Sequence, residues 1–389
     1  MTVASPLGVY VHWPYCARIC PYCDFNVYKN RAIDVAAWKD ALTRDLGRWA
    51  ERTPGRRLTS LYFGGGTPSL APIEVIDHVI KTCDRLWGFE AAAEITLEAN
   101  PTDAEQARFQ ELSQIGVNRL SLGVQSLRDD ALRFLGRDHH ADDAKRAIAT
   151  AQDEFKRVTF DLIYGRPDQL LDDWRAELEE ALGFGAGHLS LYQLTIEPET
   201  AFASAVDKGR WTPPDDDACA DMFDAAQEMT AAAGLPAYEI SNHARAGDES
   251  RHNLTYWKYA DYIGVGPGAH GRFTQNTAHG RLAENDKKIA TETLLNPQDY
   301  LAAAVTAAPI GVETPLTTAQ ATVERLSMGL RLTSGIDFAR NDPFFDGDGA
   351  EKKLRQTLDD RLLEWNGQTL KATPVGRRIL NRVLYELFG

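Results

Sequence analysis

The sequence predicts an α/β protein with a parallel sheet, because short apolar or β-branched runs alternate with amphipathic helical stretches over the first 200 residues. Strands are predicted at 8–13, 58–63, 93–99, 119–124, 157–165 and 188–195. Strand–helix–strand units joined by right-handed crossovers form either an open doubly wound sheet or a full or partial barrel. The alternation by itself leaves these architectures open.

Helical spacing separates the predicted strands, and several helices begin at a residue that can cap the first turn. The predicted helices are 33–51, 102–115, 129–136, 142–154 and 168–184, with Thr102 and Asp142 as candidate N-caps.

Unusual polar or glycine-rich segments follow the predicted strands. A cysteine loop follows the first strand, "GGGTPS" (64–69) the second, "EANP" (98–101) the third and "GVQS" (123–126) the fourth, while Asp161 lies in the fifth. Ligands bind at the carboxyl edge of parallel sheets and barrels, so we expect these segments to form one site.

The pattern changes after about residue 200. "WTPPDDD" (211–217) marks a break, a glycine-rich stretch covers 262–271, and the chain beyond about 310 is mostly helical. We divide the chain into 1–205, an extension at 206–305, and a small winged-helix-like C-terminal domain at 306–389.

Composition limits the possible partners and compartment. The formal net charge of -14 disfavours nucleic acid, whose phosphates require a dense field of Lys and Arg. No apolar run approaches the roughly 20 residues that span a bilayer, and the N-terminus lacks the regions of a signal peptide. We therefore expect a cytoplasmic protein without an integral membrane segment.

Three of the five cysteines, Cys16, Cys20 and Cys23, lie within eight positions. Thiolates this close can hold zinc or an iron–sulfur cluster. A structural zinc site needs four ligands, and no second cysteine pair follows downstream. Three thiolates on a 4Fe-4S cluster leave one iron free for a substrate or cofactor, so the spacing favours the cluster over zinc or coincidence.

"CARICPYC" resembles the C-x3-C-x2-C motif of the radical SAM superfamily, which implies a partial TIM barrel with a 4Fe-4S cluster and S-adenosylmethionine. In this family the amino and carboxylate groups of S-adenosylmethionine chelate the free iron. The resemblance implies that Gly64, Gly65 and Gly66, with Thr67 after them, approach the methionine portion, and that Glu98 is a polar contact. Glu98 could instead cap the helix near Thr102.

Within the superfamily, "GVYVHWPYC", "GVQS", "LGRDH" and "DLIYG" resemble the branch of the oxygen-independent coproporphyrinogen III dehydrogenase HemN and the heme chaperone HemW. By motif position Tyr10, Gly65 and Glu98 match contacts to a first S-adenosylmethionine. Contacts to a second are matched by Tyr22, Gln125, Arg137 and Asp161. A buried ion pair or a strand-end hydrogen bond is the alternative for Arg137 and Asp161.

Two features favour the chaperone. HemN carries a further cysteine two residues after its third cluster ligand, where this chain has Asp24 and Phe25 after Cys23. "RHNLTYW" (251–257) also matches the HNxxYW motif that is linked to heme binding in HemW. The resemblance makes His252 the candidate heme ligand, while a hydrogen-bonding role in a loop is the alternative.

Two other histidines, His243 and His270, compete with His252 as heme ligands, whereas His12 either faces the substrate side or points into the core. The expected function is a heme carrier that delivers heme to acceptor hemoproteins, with S-adenosylmethionine in a structural or regulatory role. The alternative is radical decarboxylation of coproporphyrinogen III, and no catalytic residue is assigned.

Overall fold

The structure is a computed structural model that describes residues 6–29, 32–275, 287–306 and 308–389. Over these ranges the chain forms one large, mostly parallel sheet with helices packed on it, and a small three-stranded sheet near the C-terminus. The predicted α/β class is confirmed.

The first strand leads into a small strand pair that belongs to the cysteine loop. These three strands are β1 (Leu7–Trp13), β2 (Tyr15–Cys16) and β3 (Tyr28–Lys29). The next five strands are β4 (Leu58–Gly65), β5 (Phe89–Ala99), β6 (Arg119–Gln125), β7 (Arg157–Tyr164) and β8 (His188–Gln193).

Strands β1, β4, β5, β6, β7 and β8 are parallel and lie side by side in the order of the sequence. A doubly wound sheet reverses its strand order at a switch point. This order does not reverse, so the chain adopts the partial barrel that the family resemblance implied.

Helices connect these strands on the outside of the sheet. They are α1 (Val35–Arg52), α2 (Ile73–Leu86), α3 (Asp103–Gln106), α4 (Phe109–Gln114), α5 (Asp129–Phe134), α6 (Ala141–Glu154) and α7 (Leu171–Gly183). The predicted helix 102–115 is thus two short helices. Asp142 lies inside the first turn of α6, whose N-cap is His140.

Further helices and strands continue the sheet beyond β8 and on the other side of β1. They are α8 (Ala201–Asp207), α9 (Asp216–Ala232), β9 (Asn242–Ala244), α10 (Arg251–Trp257), β10 (Asp261–Val265), β11 (His270–Gln275), β12 (Lys287–Thr293), α11 (Pro297–Val305) and β13 (Gly311–Pro315). β10 pairs in parallel with β1, and β11 to β13 add antiparallel strands beyond it.

The two faces of the barrel strands differ in chemistry because successive side chains alternate. Val9 and Val11 of β1 belong to the main apolar core, whereas Tyr10 and His12 lie on the opposite, inner face. Tyr10 is opposite Tyr62 of β4 in the register. The inner face is therefore polar and aromatic, and it is available for a site.

The C-terminal segment has its own apolar cluster, which includes Leu326, Phe338, Leu354 and Val383. It consists of α12 (Thr318–Gly329), β14 (Ile336–Asp337), a 3-10 turn (Pro343–Asp346), α13 (Ala350–Asp359), β15 (Leu363–Trp365), β16 (Thr369–Ala372), α14 (Pro374–Arg378) and α15 (Leu380–Phe388). Helices combined with a β15–β16 hairpin agree with the winged-helix-like prediction. The boundaries at 205 and 305 stay predictions.

None of the helices in the described ranges combines the length and the apolar character needed to cross a bilayer.

Candidate functional site

A cavity of about 390 Å³ lies at the carboxyl edge of the barrel strands. Cys16, Cys20 and Cys23 all line it, and all three are free thiols. Eight further residues singled out in the sequence line the same cavity: Tyr22, Gly65, Gly66, Thr67, Glu98, Gln125, Arg137 and Asp161. The structure therefore brings together the five segments of the strand-end argument and adds Arg137, which the family resemblance named.

The cysteine loop is anchored by protein contacts on both sides. The backbone N–H of Phe202 in α8 donates to the carbonyl of Pro21 at 3.0 Å. Asn26 Nδ2 donates to the carbonyls of Pro267 and Leu295 at 3.1 and 2.8 Å. These bonds tie the loop to α8 and to the segments that contain Pro267 and Leu295.

Burial raises the pKa of the Cys16 thiol to about 11. A nearby positive charge is needed to favour its thiolate, and a metal centre supplies such a charge. No group of three or more His, Cys, Asp or Glu side chains among the described residues is arranged around a single metal ion. In a cluster the thiolates bind different irons, so they need not converge on one point.

The glycine loop after β4 packs directly against the segment that leads into Cys16. The N–H of Gly66 donates to Trp13 O at 2.7 Å, and that of Thr67 to Tyr15 O at 2.8 Å. Gly65 has φ +104°, and a Cβ there would lie 2.6 Å from the His12 ring. Only glycine fits this position, so the backbone can border the cavity closely.

Glu98 and Asp161 place two carboxyl groups beside the cavity. Tyr62 Oη donates to Glu98 Oε1 at 2.8 Å. Burial, together with the charge of Asp161, raises the pKa of Glu98 to about 7, and burial likewise raises the pKa of Asp161 to about 7. A cationic ligand group would bind their ionised forms.

Arg137 is a half-buried cation in the lining of the cavity. Its Nη1 donates to Cys20 Sγ at 3.1 Å, and its Nη2 donates to Gly123 O at 2.9 Å and to Asn100 Oδ1. None of these hydrogen bonds joins Arg137 to Asp161. Arg137 thus bonds groups near the strand ends, and the expected contacts of both residues to S-adenosylmethionine stay predictions.

Gln125 ends β6 in a left-handed conformation with φ +69°. The pairing of β6 with β7 shifts register between Leu122 and Gln125. A non-glycine residue with positive φ costs conformational energy and is concentrated at functional sites. The bulge directs the end of β6 at the cavity.

Two predicted residues lie outside this cavity, and several unpredicted ones line it. Gly64 is not part of the lining, and Tyr10 lines a second cavity instead. Sequence reasoning missed Ser121 and Tyr192, and it included Asn100 only as part of the segment 98–101. Successive side chains of a strand point to opposite faces. Ser121 shares a face of β6 with Gln125, so this period of two could have placed it, and likewise Tyr192 of β8, on the inner face.

The second cavity, of about 580 Å³, lies on the other side of the cysteine loop. Six aromatic side chains line it: Tyr10, Phe25, Tyr256, Trp257, Tyr259 and Tyr262. Phe25 lines both cavities. Phe25, two residues after Cys23, is therefore a shared wall of the two cavities.

From the sequence we expect His252 in a loop, but it lies in the helix α10. Its ring is buried, with Nδ1 hydrogen-bonded to Ser60 Oγ at 2.9 Å and Nε2 to Tyr256 Oη at 2.6 Å. Burial lowers the pKa of His252 to about 3. Both ring nitrogens are occupied in this conformation, and His252 lines neither cavity.

The two competing histidines and His12 differ in their surroundings. His243 is buried, and its Nδ1 is hydrogen-bonded to Thr230 Oγ1 at 2.9 Å. His12 lines the second cavity, but its nitrogens are hydrogen-bonded to Tyr10 Oη and to Asn26 O at 3.2 and 2.9 Å. His270 also lines that cavity and is exposed.

Comparisons with known proteins agree with this geometry. The profile of the radical SAM superfamily matches residues 10–181. The heme chaperone HemW of Haemophilus influenzae is 41% identical over 281 residues, which cover 70% of this chain and 72% of that protein. The chain belongs to the radical SAM superfamily, in the branch of HemN and HemW.

Other relatives match over more of the chain. The mitochondrial radical S-adenosyl methionine domain-containing protein 1 of Bos taurus is 37% identical, covering 98% of this chain and 87% of that protein. The structure of coproporphyrinogen III oxidase (HemN) from Escherichia coli superposes with a TM-score of 0.78 at 20% identity, covering 99% of this chain and 90% of that chain. This likeness shows the fold.

The first cavity of this radical SAM protein suits the cofactors that the family implies. Three free thiols can bind three irons of a cluster. They are bordered by a glycine backbone that has no room for a Cβ. Glu98 and Asp161 bring two carboxyl groups to the lining and Arg137 brings a guanidinium, which are groups that can bind an ammonium and a carboxylate. Its volume lies within the range of small-molecule sites.

Proposed function

We propose that this radical SAM protein is a heme chaperone that binds heme, a 4Fe-4S cluster and S-adenosylmethionine, and transfers heme to acceptor hemoproteins. HemW relatives from Haemophilus influenzae and Escherichia coli, 41% and 40% identical, carry that name. Cys16, Cys20 and Cys23 hold the cluster in this proposal, and the residues of the first cavity hold S-adenosylmethionine.

One structural observation carries the proposal. The two segments that distinguished the chaperone from the dehydrogenase lie more than 200 residues apart in sequence, yet both line the second cavity. Asp24 and Phe25 come from the first segment, and Tyr256 and Trp257 from the second. Aromatic side chains can cover a porphyrin face, so this cavity suits heme.

The cofactor part of the proposal is tested by anaerobic reconstitution with iron and sulfide. The variants Cys16→Ala, Cys20→Ala and Cys23→Ala should lose most of the iron and the charge-transfer absorption of the cluster. Cys219→Ala is the matched control, because Cys219 is a buried thiol on α9 outside both cavities. Equal iron content in all four variants would contradict the assignment.

The chaperone function is tested by loading the full chain with heme and adding a heme-free globin. The Soret band should move to that of the holo-globin, because the globin takes up the released heme. A chain that binds no heme, or that never releases it, would contradict the proposal.

A second candidate function is the dehydrogenase reaction on coproporphyrinogen III. It is favoured by Tyr22, Gln125, Arg137 and Asp161, which line the first cavity and match the HemN contacts. Protoporphyrinogen formed with dithionite and S-adenosylmethionine would establish it. We expect no such product from protein with an intact cluster.

The cytoplasm is the proposed compartment. Its reducing conditions preserve free thiols such as those of the cysteine loop. Nucleic acid stays excluded from the expected partners on charge alone.

A further inference from the structure

We infer that heme binds in the second cavity with the imidazole of His270 as an axial ligand of its iron, and that His252 is a positioning residue. This inference rests on the proposed function, because it names the site and the iron ligand for the proposed cargo.

The cavity has the size and lining that a porphyrin requires. It encloses about 580 Å³, and six aromatic rings line it. Tyr256 and Tyr262 pack edge to face with ring centroids 4.5 Å apart, so part of this wall is rigid. Phe25 and Leu295, with 61% and 52% of their surface exposed, place apolar side chains at its open edge.

Iron ligation needs an imidazole nitrogen that is not already hydrogen-bonded. His12 and His270 are the histidines in the lining of this cavity. Both nitrogens of His12 have protein partners. His270 has no hydrogen-bond partner for either nitrogen among the described residues, and its side chain is exposed.

The position of His270 is fixed by the sheet. It begins β11, where it lies opposite Glu292 of β12 in the register. Gly264 of β10 packs against the backbone of His270 so closely that a Cβ at Gly264 would collide with it. The backbone of an iron-ligating residue on such a strand is already fixed, which limits the conformational entropy that is lost when heme binds.

His252 acts on the cavity through Tyr256. The 2.6 Å bond between His252 Nε2 and Tyr256 Oη joins the buried ring to a residue in the cavity lining. On its other side His252 bonds Ser60 of β4 at 2.9 Å. The HNxxYW segment therefore shapes the wall, while the ligand comes from the following hairpin.

The charge around the cavity indicates how the propionates lie. Arg272 is paired with Glu324, with Nε and Nη2 each 2.9 Å from a carboxylate oxygen. Its charge is already balanced, and Arg272 is the cation in the described lining. We place the propionates at the open edge, in water.

The test is a hemin titration of the anaerobically reconstituted full chain, followed by the Soret band and by electron paramagnetic resonance. His270→Ala should raise the Kd for hemin at least about tenfold and remove the spectrum of a histidine-ligated iron. Added imidazole should restore the Soret position. His270→Gln, which keeps a polar side chain at this exposed position, should behave like His270→Ala.

His140→Ala is the matched control, because it removes an exposed imidazole outside both cavities. It should leave the Kd and the spectrum unchanged. Wild-type binding that persists with the same Kd and Soret band in His270→Ala and His270→Gln would overturn the inference but leave the proposed function standing. A wild-type chain that binds no heme would overturn both.

Discussion

Asp161 carries an acidic side chain whose neutral form is favoured by its surroundings. Burial raises the pKa of Asp161 to about 7, from an ordinary value of 3.8. Between these two values the folded protein holds a proton that the unfolded chain has released. The stability of the ligand-free protein must therefore fall as the pH rises from about 4 to about 7.

We predict that Asp161→Asn removes part of this pH dependence. At pH 8 the variant should be more stable than the wild type by about 1–2 kcal/mol in the absence of ligands, since no buried charge forms. At pH 4 the two proteins should have similar stability. Thermal unfolding across this pH range measures the effect, with exposed Asp359→Asn as the control.

Gly65 is a second position where one residue decides local geometry. Gly65→Ala should lower the free energy of unfolding by about 2 kcal/mol, because φ +104° and the nearby His12 ring both oppose a Cβ. Gly47→Ala is the matched control. Gly47 lies inside α1 with no atom within 4 Å of its added Cβ, so that variant should gain about 0.5–1 kcal/mol.

Urea unfolding measures both glycine variants. Equal effects of the two substitutions would show that the backbone conformation at Gly65 is not a constraint.

At the scale of elements, α10 connects the barrel to the second cavity. It begins after Ser250, whose side chain accepts from the N–H of Asn253 at 3.2 Å. His252 of α10 then bridges Ser60 and Tyr256 inside the protein. The helix is therefore held to β4 by a buried polar contact.

We predict that His252→Ala destabilises the protein by about 2–4 kcal/mol, because the hydroxyls of Ser60 and Tyr256 lose a buried partner. Heme affinity should fall less than in His270→Ala. Urea unfolding and hemin titration of the same samples separate the two effects. If His252→Ala has wild-type stability and no heme binding, its imidazole acts as a ligand and not as a support.

The strands of the barrel were predictable, whereas α10 was not. β1 and β4 to β8 consist of β-branched and apolar runs bounded by turn residues, so their existence followed from pattern alone. α10 has only seven residues, and Asn, Thr, Tyr and Trp within it are weak helix formers. The N-cap residue Ser250 favours a helix start, but this preference is small compared with the low helix propensities of the residues that follow.

The extension strands were missed for a different reason. The segment 262–271 was described as a glycine-rich stretch, yet it contains the end of β10 and the start of β11. Gly264 is required there by the close approach of the His270 backbone, and Gly266 by φ +92°. Glycine here marks close backbone packing of strands, which composition does not distinguish from a loop.

The first cavity could be predicted because one rule places all its segments at one sheet edge. The second cavity could not, because it combines Asp24 to Asn26 with residues from α10, β10, β11 and α12. No periodicity in the sequence indicates that these distant segments meet. That His270 has no hydrogen-bond partner among the described residues was likewise visible only once its neighbours were known.

At the scale of the whole molecule, Glu239 links the C-terminal segment to the barrel. This fully buried carboxylate accepts from Arg331 Nη2 at 3.1 Å, and its backbone carbonyl accepts from Arg377 Nη2 at 2.8 Å. The apolar cluster around Leu326 and Val383 lies beyond this link. Glu239 is therefore one of several polar contacts that attach the segment, beside the pair of Arg272 with Glu324 of α12.

We predict that Glu239→Gln weakens this attachment by roughly 2 kcal/mol, less than for a fully buried pair because Arg331 is partly exposed. Limited proteolysis should cleave the variant between the barrel and α12 faster than the wild type. Exposed Glu364→Gln in β15 is the control and should resemble the wild type. Iron content after reconstitution should be unchanged in both.

Phe25 belongs to the walls of both cavities, so in the proposed function we predict that this shared wall couples the binding of heme to that of S-adenosylmethionine. A ligand in one cavity that orders this exposed phenyl ring reduces the conformational entropy that the ring loses when a second ligand binds in the other cavity. Thermodynamic linkage is reciprocal, so S-adenosylmethionine must change the affinity for heme by the same factor by which heme changes the affinity for S-adenosylmethionine. Hemin titrations with and without S-adenosylmethionine should differ in the wild type, and Phe25→Ala should bring them together. The affinity for heme would thus depend on whether S-adenosylmethionine is bound, without any movement of one domain against another.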